Sequence, residues 1–303
     1  MLAKDYLTLW RNSKINKMKV GIALGGGGAR GFAHIGVLKV FERNNIPIHQ
    51  ISGTSMGSVI GGLYSVFQNA QKVEDFMYNF VQKEAFKDLN LDAFDPDPDE
   101  ESSYWQQLLN NAQRKISLYR TWRNQAMLTK EQVDNIFKGF PDGKIEELPI
   151  KFAAVATDLI TGRKTVLVEG NLKQSIIASS SIPGVLPPVE MLNTKMCDGG
   201  VSDLVPVYVS RGQGAQYVIA VDITKSLTER EELNNGLSII DRAQTILAYQ
   251  LSRERLAGSD CVIRPSSVMY SWASVRHMPE IIKSGEIAAE KALPAIKIAL
   301  GMD

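Results

Sequence analysis

The sequence predicts an α/β fold around a mostly parallel central sheet, in one domain that carries a helical insertion. Three observations lead there: a unit of short apolar run, glycine-rich turn and helical repeat that occurs twice in succession, further short apolar runs downstream, and two long helical patterns beyond them. The first unit is Met18 to Leu24 (MKVGIAL), then Gly25-Gly26-Gly27-Gly28, then Phe32, Ile35, Val37, Leu38 and Phe41 at helical spacing. The second is Pro47 to Ser52, then Gly53-Thr54-Ser55-Met56-Gly57, then a small-residue helix through Leu63 and Phe67. Later strands are expected at Lys151 to Thr157, Thr165 to Val168, Lys195 to Asp198, Tyr217 to Asp222 and Cys261 to Arg264, and helices around Leu237 to Leu256 and Pro279 to Leu300. This gives a main domain at 18–303 behind an N-terminal extension at 1–17.

Residues 86–140, between the second and third sheet units, read as the insertion. Asp95-Pro96-Asp97-Pro98-Asp99 interrupts any helix, because each proline lacks an N–H and restrains the residue before it. Tyr104, Trp105, Tyr119 and Trp122 follow among polar residues, and Thr129-Lys130-Glu131-Gln132 has the capping-box pattern for a helix through Phe137. Two readings stand side by side: a lid whose aromatics meet an apolar substrate or bilayer, and a helical subdomain packed on the sheet. The extension holds Leu2, Tyr6, Leu7, Leu9 and Trp10 among basic residues. It reads first as a packed or frayed terminus and second as a short helix lying on a membrane surface.

Composition narrows the function. The 303 residues carry 34 Lys+Arg against 33 Asp+Glu, and a formal charge of +1 supplies no field for a nucleic-acid partner. Cys197 and Cys261 make no CxxC spacing, which suits two core thiols in a reducing compartment. No segment reaches the roughly 18 apolar residues of a spanning helix, and the first residues lack the pattern of a signal peptide. A soluble, cytoplasmic protein is expected, with membrane contact only at its periphery. The carboxylates do not cluster as an oxygen cage and the histidines are scattered, so neither metal nor cofactor is expected.

Gly53-Thr54-Ser55-Met56-Gly57 fits G-x-S-x-G between a strand and a helix, the setting that exposes a nucleophilic serine on a strained turn. Gly25 to Gly31 (GGGGARG) allows two readings. Gly26-x-Gly28-x-x-Gly31 fits a dinucleotide fingerprint, but where a ribose-binding acid is needed the chain has His49, Gln50 and Ser52. Alternatively, bare backbone N–H groups at a helix start form an oxyanion hole beside the serine. For the base there are His34, His49 and His277, of which only His277 completes the order Ser, acid, His, and there is Asp198 in Cys197-Asp198-Gly199-Gly200. The aspartate needs burial to raise its basicity, and an ordinary Asp-Gly hairpin turn explains the same residues.

Together GGGGARG, GTSMG and DGG, with Ala178-Ser179-Ser180-Ser181-Ile182-Pro183 as a fourth block, resemble the patatin-like phospholipases from about Lys19 to Asp222. That resemblance implies a three-layer α/β/α fold and a serine lipid acyl hydrolase of phospholipase A or lysophospholipase type. It implies Ser55 as nucleophile and Asp198 as its base in a Ser-Asp dyad. The Gly26, Gly27 and Gly28 backbone with Arg30 would form the oxyanion loop, supported by Gly31, His34, Gly53, Gly57, Ser179, Pro183, Gly199 and Gly200. The implied partner is a phospholipid or other acyl-ester lipid. An esterase or thioesterase on other acyl substrates is the alternative, ahead of a nucleotide-binding or non-catalytic protein.

Overall fold

Among the described residues, seven strands lie side by side in one sheet, with an eighth paired to the third of them. The computed structural model describes residues 18–83, 86, 125–227, 233 and 236–302. In chain order they form β1 (Val20–Leu24), α1 (Ala33–Arg43), β2 (Gln50–Thr54), α2 (Met56–Phe67), α3 (Ala70–Val81) and α4 (Lys130–Ile136). Then come β3 (Lys151–Asp158), β4 (Lys164–Leu167), α5 (Leu172–Ser179), β5 (Val189–Met191), β6 (Thr194–Asp198) and α6 (Val207–Gly212). β7 (Tyr217–Val221), α7 (Gly236–Leu256), β8 (Cys261–Ile263) and α8 (Met278–Leu300) complete them. The strand order is β5-β6-β3-β2-β1-β7-β8, with β4 on β3. The stretch from β3 through β2, β1 and β7 to β8 is parallel, β4 and β6 run against β3, and β5 runs against β6.

Period-two alternation explains the layers. Val20, Ile22 and Leu24 of β1, Phe152 and Ala154 of β3, and Ile219 and Val221 of β7 join the larger core, shared with α1, α2 and α8. Ala23, Val218 and Ala220 point the other way onto Val205, Val207 and Leu256. Strands buried on both faces in this manner belong to a sheet sandwiched between helices, which is the expected three-layer α/β/α architecture.

Several elements were not anticipated from the sequence: α3, α5, α6 and the three-residue β5. Thr129 does open α4 with both halves of a capping box. In residues 125–140 of the expected insertion, Val133, Ile136, Phe137 and Phe140 lie in the main core. Phe140 meets Phe76 and Phe80 edge-on at 5.0 Å. Tyr104, Trp105, Tyr119 and Trp122, the remainder of that segment, and the extension 1–17 lie outside the described residues.

Helices α1 and α8 cross at two glycines. A Cβ on Gly36 would sit 2.0 Å from the Ile282 carbonyl oxygen, and one on Gly285 would sit 1.9 Å from that of Ala33. Alanine is the better helix former by about 1 kcal/mol, but here the overlap is with backbone that cannot rotate away, a cost of about 1–3 kcal/mol or more. Gly285→Ala is therefore expected to lower Tm by about 2–5 °C in a thermal melt. An unchanged Tm would mean the helices can separate freely.

Candidate active site

Ser55 is placed by a backbone conformation that its sequence neighbours impose. It has φ 54° and ψ −125°, outside the regions an L-residue prefers, between the last residue of β2 and the first of α2. Such a conformation costs about 1–3 kcal/mol and persists only where the surroundings fix it. Here they do. The Ser55 carbonyl accepts from the N–H groups of Ser58 (2.8 Å) and Val59 (3.1 Å) and from the Ser58 hydroxyl (2.7 Å). The Ser55 N–H reaches both the carbonyl and the hydroxyl of Ser179, each at 3.1 Å. The flanking glycines are required sterically: a Cβ on Gly53 would lie 2.3 Å from the Gly57 oxygen, and one on Gly57 would lie 2.1 Å from that of Leu24.

Asp198 closes β6 two strands away and is brought to Ser55. The Gly200 N–H donates to Asp198 Oδ1 at 2.7 Å. Burial pushes the Asp198 pKa up to about 6, against the downward pull of the Ser55 hydroxyl and the Gly200 N–H. Its backbone is held on both sides: Asp198 N–H donates to the Ser181 carbonyl (2.9 Å) and its own carbonyl accepts the Thr157 hydroxyl (3.0 Å). The chain then enters a helical turn, Gly199–Val201, so the hairpin explanation of Asp-Gly does not apply.

The glycine loop arrives from β1, the parallel neighbour of β2. At Gly26 a Cβ would come within 3.1 Å of the Ser55 Cβ, so the two loops meet. The four expected members of this loop differ in what they offer. Gly26 N–H is engaged by the Leu204 carbonyl at 2.9 Å, which removes it as a donor to a ligand. Gly27 and Gly28 stand at the head of the turn Gly28–Phe32, where no preceding turn provides acceptors for their N–H groups. Arg30 Nε donates to the Gly27 carbonyl (3.2 Å), bracing that peptide. Desolvation lowers the Arg30 pKa to about 10, opposed by Asp222, so the guanidinium stays charged at neutral pH. Gly31 fits under Met56, the residue after Ser55.

His34 is fully buried, and its Nε2 lies 2.8 Å from the Gly25 carbonyl oxygen. Burial lowers its pKa to about 4, against the bond to Gly25, so the ring is neutral and donates Nε2–H to that carbonyl. It supports the loop. His49 Nδ1 accepts the Val20 N–H, and His277 sits against Tyr270 and Arg276 at the start of α8, so neither joins Asp198. Pro183 enters a turn in which the Val185 and Leu186 N–H groups both return to the Ile182 carbonyl. Among the described residues no group of three or more His, Cys, Asp or Glu could hold a metal ion, and no helix is long and apolar enough to cross a membrane.

The sequence marks Ser179 as a support of the site but not Ser181, Thr54, Asp203 or Lys164, which with it tie the loops together. Ser179 donates its hydroxyl to the Val155 carbonyl (2.6 Å) while accepting from Ser55, and Ser181 holds Asp198. One short segment thus staples both side chains. Thr54 donates to the Asp203 carbonyl at 2.8 Å, and the fully buried Asp203 carboxylate is met by Lys164 at 2.6 Å. The paired serines of the 178–183 block were the only available signal.

A family model described as patatin-like phospholipase matches residues 22–210. The lysophospholipase NTE1 of Debaryomyces hansenii is 30% identical over 233 residues, 77% of this chain and 13% of that protein. The lysophospholipase NTE1 of Yarrowia lipolytica is 32% identical over 221 residues, 73% and 14% of the two chains. The chain therefore spans only a small part, 13% and 14%, of the length of these curated relatives. The crystal structure of VipD from Legionella pneumophila is similar in fold, with a TM-score of 0.51 at 12% identity over 92% of this chain and 67% of that one.

Proposed function

The chain belongs to the patatin-like phospholipase family, and from that premise we propose that it is a serine lipid acyl hydrolase of phospholipase A or lysophospholipase type, working through a Ser55–Asp198 dyad. The observation that carries the reading is Ser55, on its strained turn, near a buried aspartate whose pKa burial pushes up to about 6. An ordinary carboxylate is too weak a base for this task; one raised toward working pH is better matched to it.

Asp198 accepts the proton from Ser55 Oγ as the oxygen attacks the acyl carbonyl carbon. The Gly27 and Gly28 N–H groups hold the oxyanion, and preorganised donors of this kind are each worth on the order of 100 to 1,000-fold in rate. Asp198 returns the proton to the departing alcohol oxygen, leaving an acyl-serine ester. Water then gives a proton to Asp198 and attacks that ester; the fatty acid departs and Ser55 Oγ recovers its proton. His34 and Arg30 keep the Gly25 and Gly27 peptides oriented throughout. The catalytic domain in this reading runs over 18–303, and it acts at the surface of a membrane rather than within one.

Incubating mixed phospholipid vesicles with wild type and with Ser55→Ala, and profiling the released fatty acids and lysolipids, tests this. Serine-dependent products are expected, with a loss on the order of 10,000-fold or more in the variant. Products that persist at the wild-type level in Ser55→Ala would remove the hydrolase reading.

A further inference from the structure

Asp158, the last residue of β3, binds two neighbouring turns into one projection. Its Oδ1 accepts from the Ile160 N–H (2.8 Å), the Thr161 N–H (3.2 Å) and the Thr194 hydroxyl (2.6 Å), and its Oδ2 accepts from the Thr161 hydroxyl (2.8 Å). The Leu159 N–H donates to the Lys195 carbonyl at 2.9 Å, joining the turn after β3 to the start of β6, just past the turn between β5 and β6. The residues so presented are aliphatic and face solvent: Leu159 is 46% exposed, Ile160 72% and Leu192 67%.

Leu192 is there against local preference. It and Asn193 have φ 53° and 58°, the two-residue hairpin geometry that favours Asn and Gly and disfavours a bulky side chain. A rigid clasp that displays exposed aliphatic side chains, one of them in a strained conformation, is the mark of a contact surface.

Its position says what it contacts. β3 runs parallel to β2 with Val155 beside Thr54, so Asp158 lies three residues beyond the level of Thr54. At about 3.3 Å per residue the clasp stands roughly 10 Å out from the base of the Ser55 turn, at the same end of the sheet. β6 leads from the clasp directly down to Asp198. The exposed tip side chains, Leu159, Ile160 and Leu192, include no aromatic ring of the sort that dominates protein interfaces. Arg163 and Lys195 flank it, with Glu190 opposite Lys195, leaving little net charge. Aliphatic tips with weak charge beside a lipid-hydrolase site fit the acyl layer of a zwitterionic lipid surface.

We propose that Leu159, Ile160 and Leu192 insert into a lipid surface and seat the site over the lipid it cleaves. The lipid as substrate rests on the hydrolase reading above; the docking does not require turnover. The test compares the double variant Ile160→Ser/Leu192→Asn with its parent, in the full chain. Leu192→Asn suits the left-handed backbone, so a Tm equal to or above the parent's is expected. In a Ser55→Ala background, cosedimentation with phosphatidylcholine vesicles should fall by about 100-fold, from about tenfold or more per aliphatic side chain removed. With Ser55 intact, release of fatty acid from the same vesicles should fall in step while kcat/KM on monomeric p-nitrophenyl butyrate stays unchanged. Unaltered vesicle binding, or an equal loss on both substrates, would overturn the docking. Tip-dependent vesicle binding by a protein that cleaves neither substrate would support the docking and sink the hydrolase reading alone.

Discussion

Replacing Asp198 with asparagine is expected to slow ester hydrolysis by about 10²–10⁴-fold and, at pH 8, to make the protein more stable. The two effects have one origin. Asp198 is 6% exposed, and burial raises its pKa from 3.8 to about 6. Its protonated form is the one the fold favours, so the folded state binds more protons than the unfolded chain between those values. Stability linked to this group is fully present below pH 3.8 and is lost as pH rises through about 6. At neutral pH the ionised carboxylate costs at most about 3 kcal/mol. The neutral asparagine removes that cost and still accepts from the Gly200 N–H, which donates to Asp198 at 2.7 Å. Wild-type rate should rise through about pH 6 to a plateau, because the base must be ionised to take the Ser55 proton. Melts of both proteins at pH 8 and pH 3.5 check the stability half: a higher Tm in the variant at pH 8 and a vanishing difference at pH 3.5. A variant that melts lower at pH 8 would mean the carboxylate is stabilising, and the account of its basicity would fail.

Gly199→Ala is expected to be nearly as damaging to activity, by a steric route. A Cβ there would stand 2.1 Å from the Val155 carbonyl oxygen and 3.1 Å from the Thr54 Cγ2. Neither can yield cheaply: Val155 lies inside β3, and Thr54 is held through its hydroxyl to the Asp203 carbonyl and precedes Ser55 directly. The added methyl must push the turn after Asp198 away from the sheet, carrying the carboxylate off the serine. Misplacement by about 1 Å can cost on the order of 100-fold in rate, and overpacking of backbone adds about 1–3 kcal/mol of destabilisation. A p-nitrophenyl ester assay alongside a thermal melt measures both. Full activity with an unchanged Tm would show that the turn has slack that its contacts do not suggest.

These residues also show where the sequence speaks plainly. The elbow around Ser55 and the turn after Asp198 need glycine because backbone passes within van der Waals contact, and that requirement is local enough to read from a few adjacent letters. The same holds for both strand–turn–helix units. What the sequence hides are partnerships across long separations. Nothing near Gly26 tells that its N–H is consumed by Leu204, and nothing near Asp198 tells that the Ser181 carbonyl holds it. Strand direction was equally hidden: Lys195 to Asp198 reads as one more apolar run, yet β6 runs against β3. In 125–140, Phe137 and Phe140 gave no sign of whether they faced a ligand or a core, because an aromatic residue suits both; packing on Phe76 and Phe80 puts them in the core.

The crossing of α1 and α8 governs the order in which this site can come into being. The helix that begins behind the glycine loop is clamped by one that follows it at a separation of 253 residues, measured from Asn44 to Lys297, and Gly285 lies directly against Ala33, which starts α1. On the ribosome, the glycine loop and Ser55 emerge long before that clamp exists. A nascent chain therefore carries Ser55 without a finished scaffold around it, and the crossing that backs the glycine loop is completed only when α8 has been made and docked.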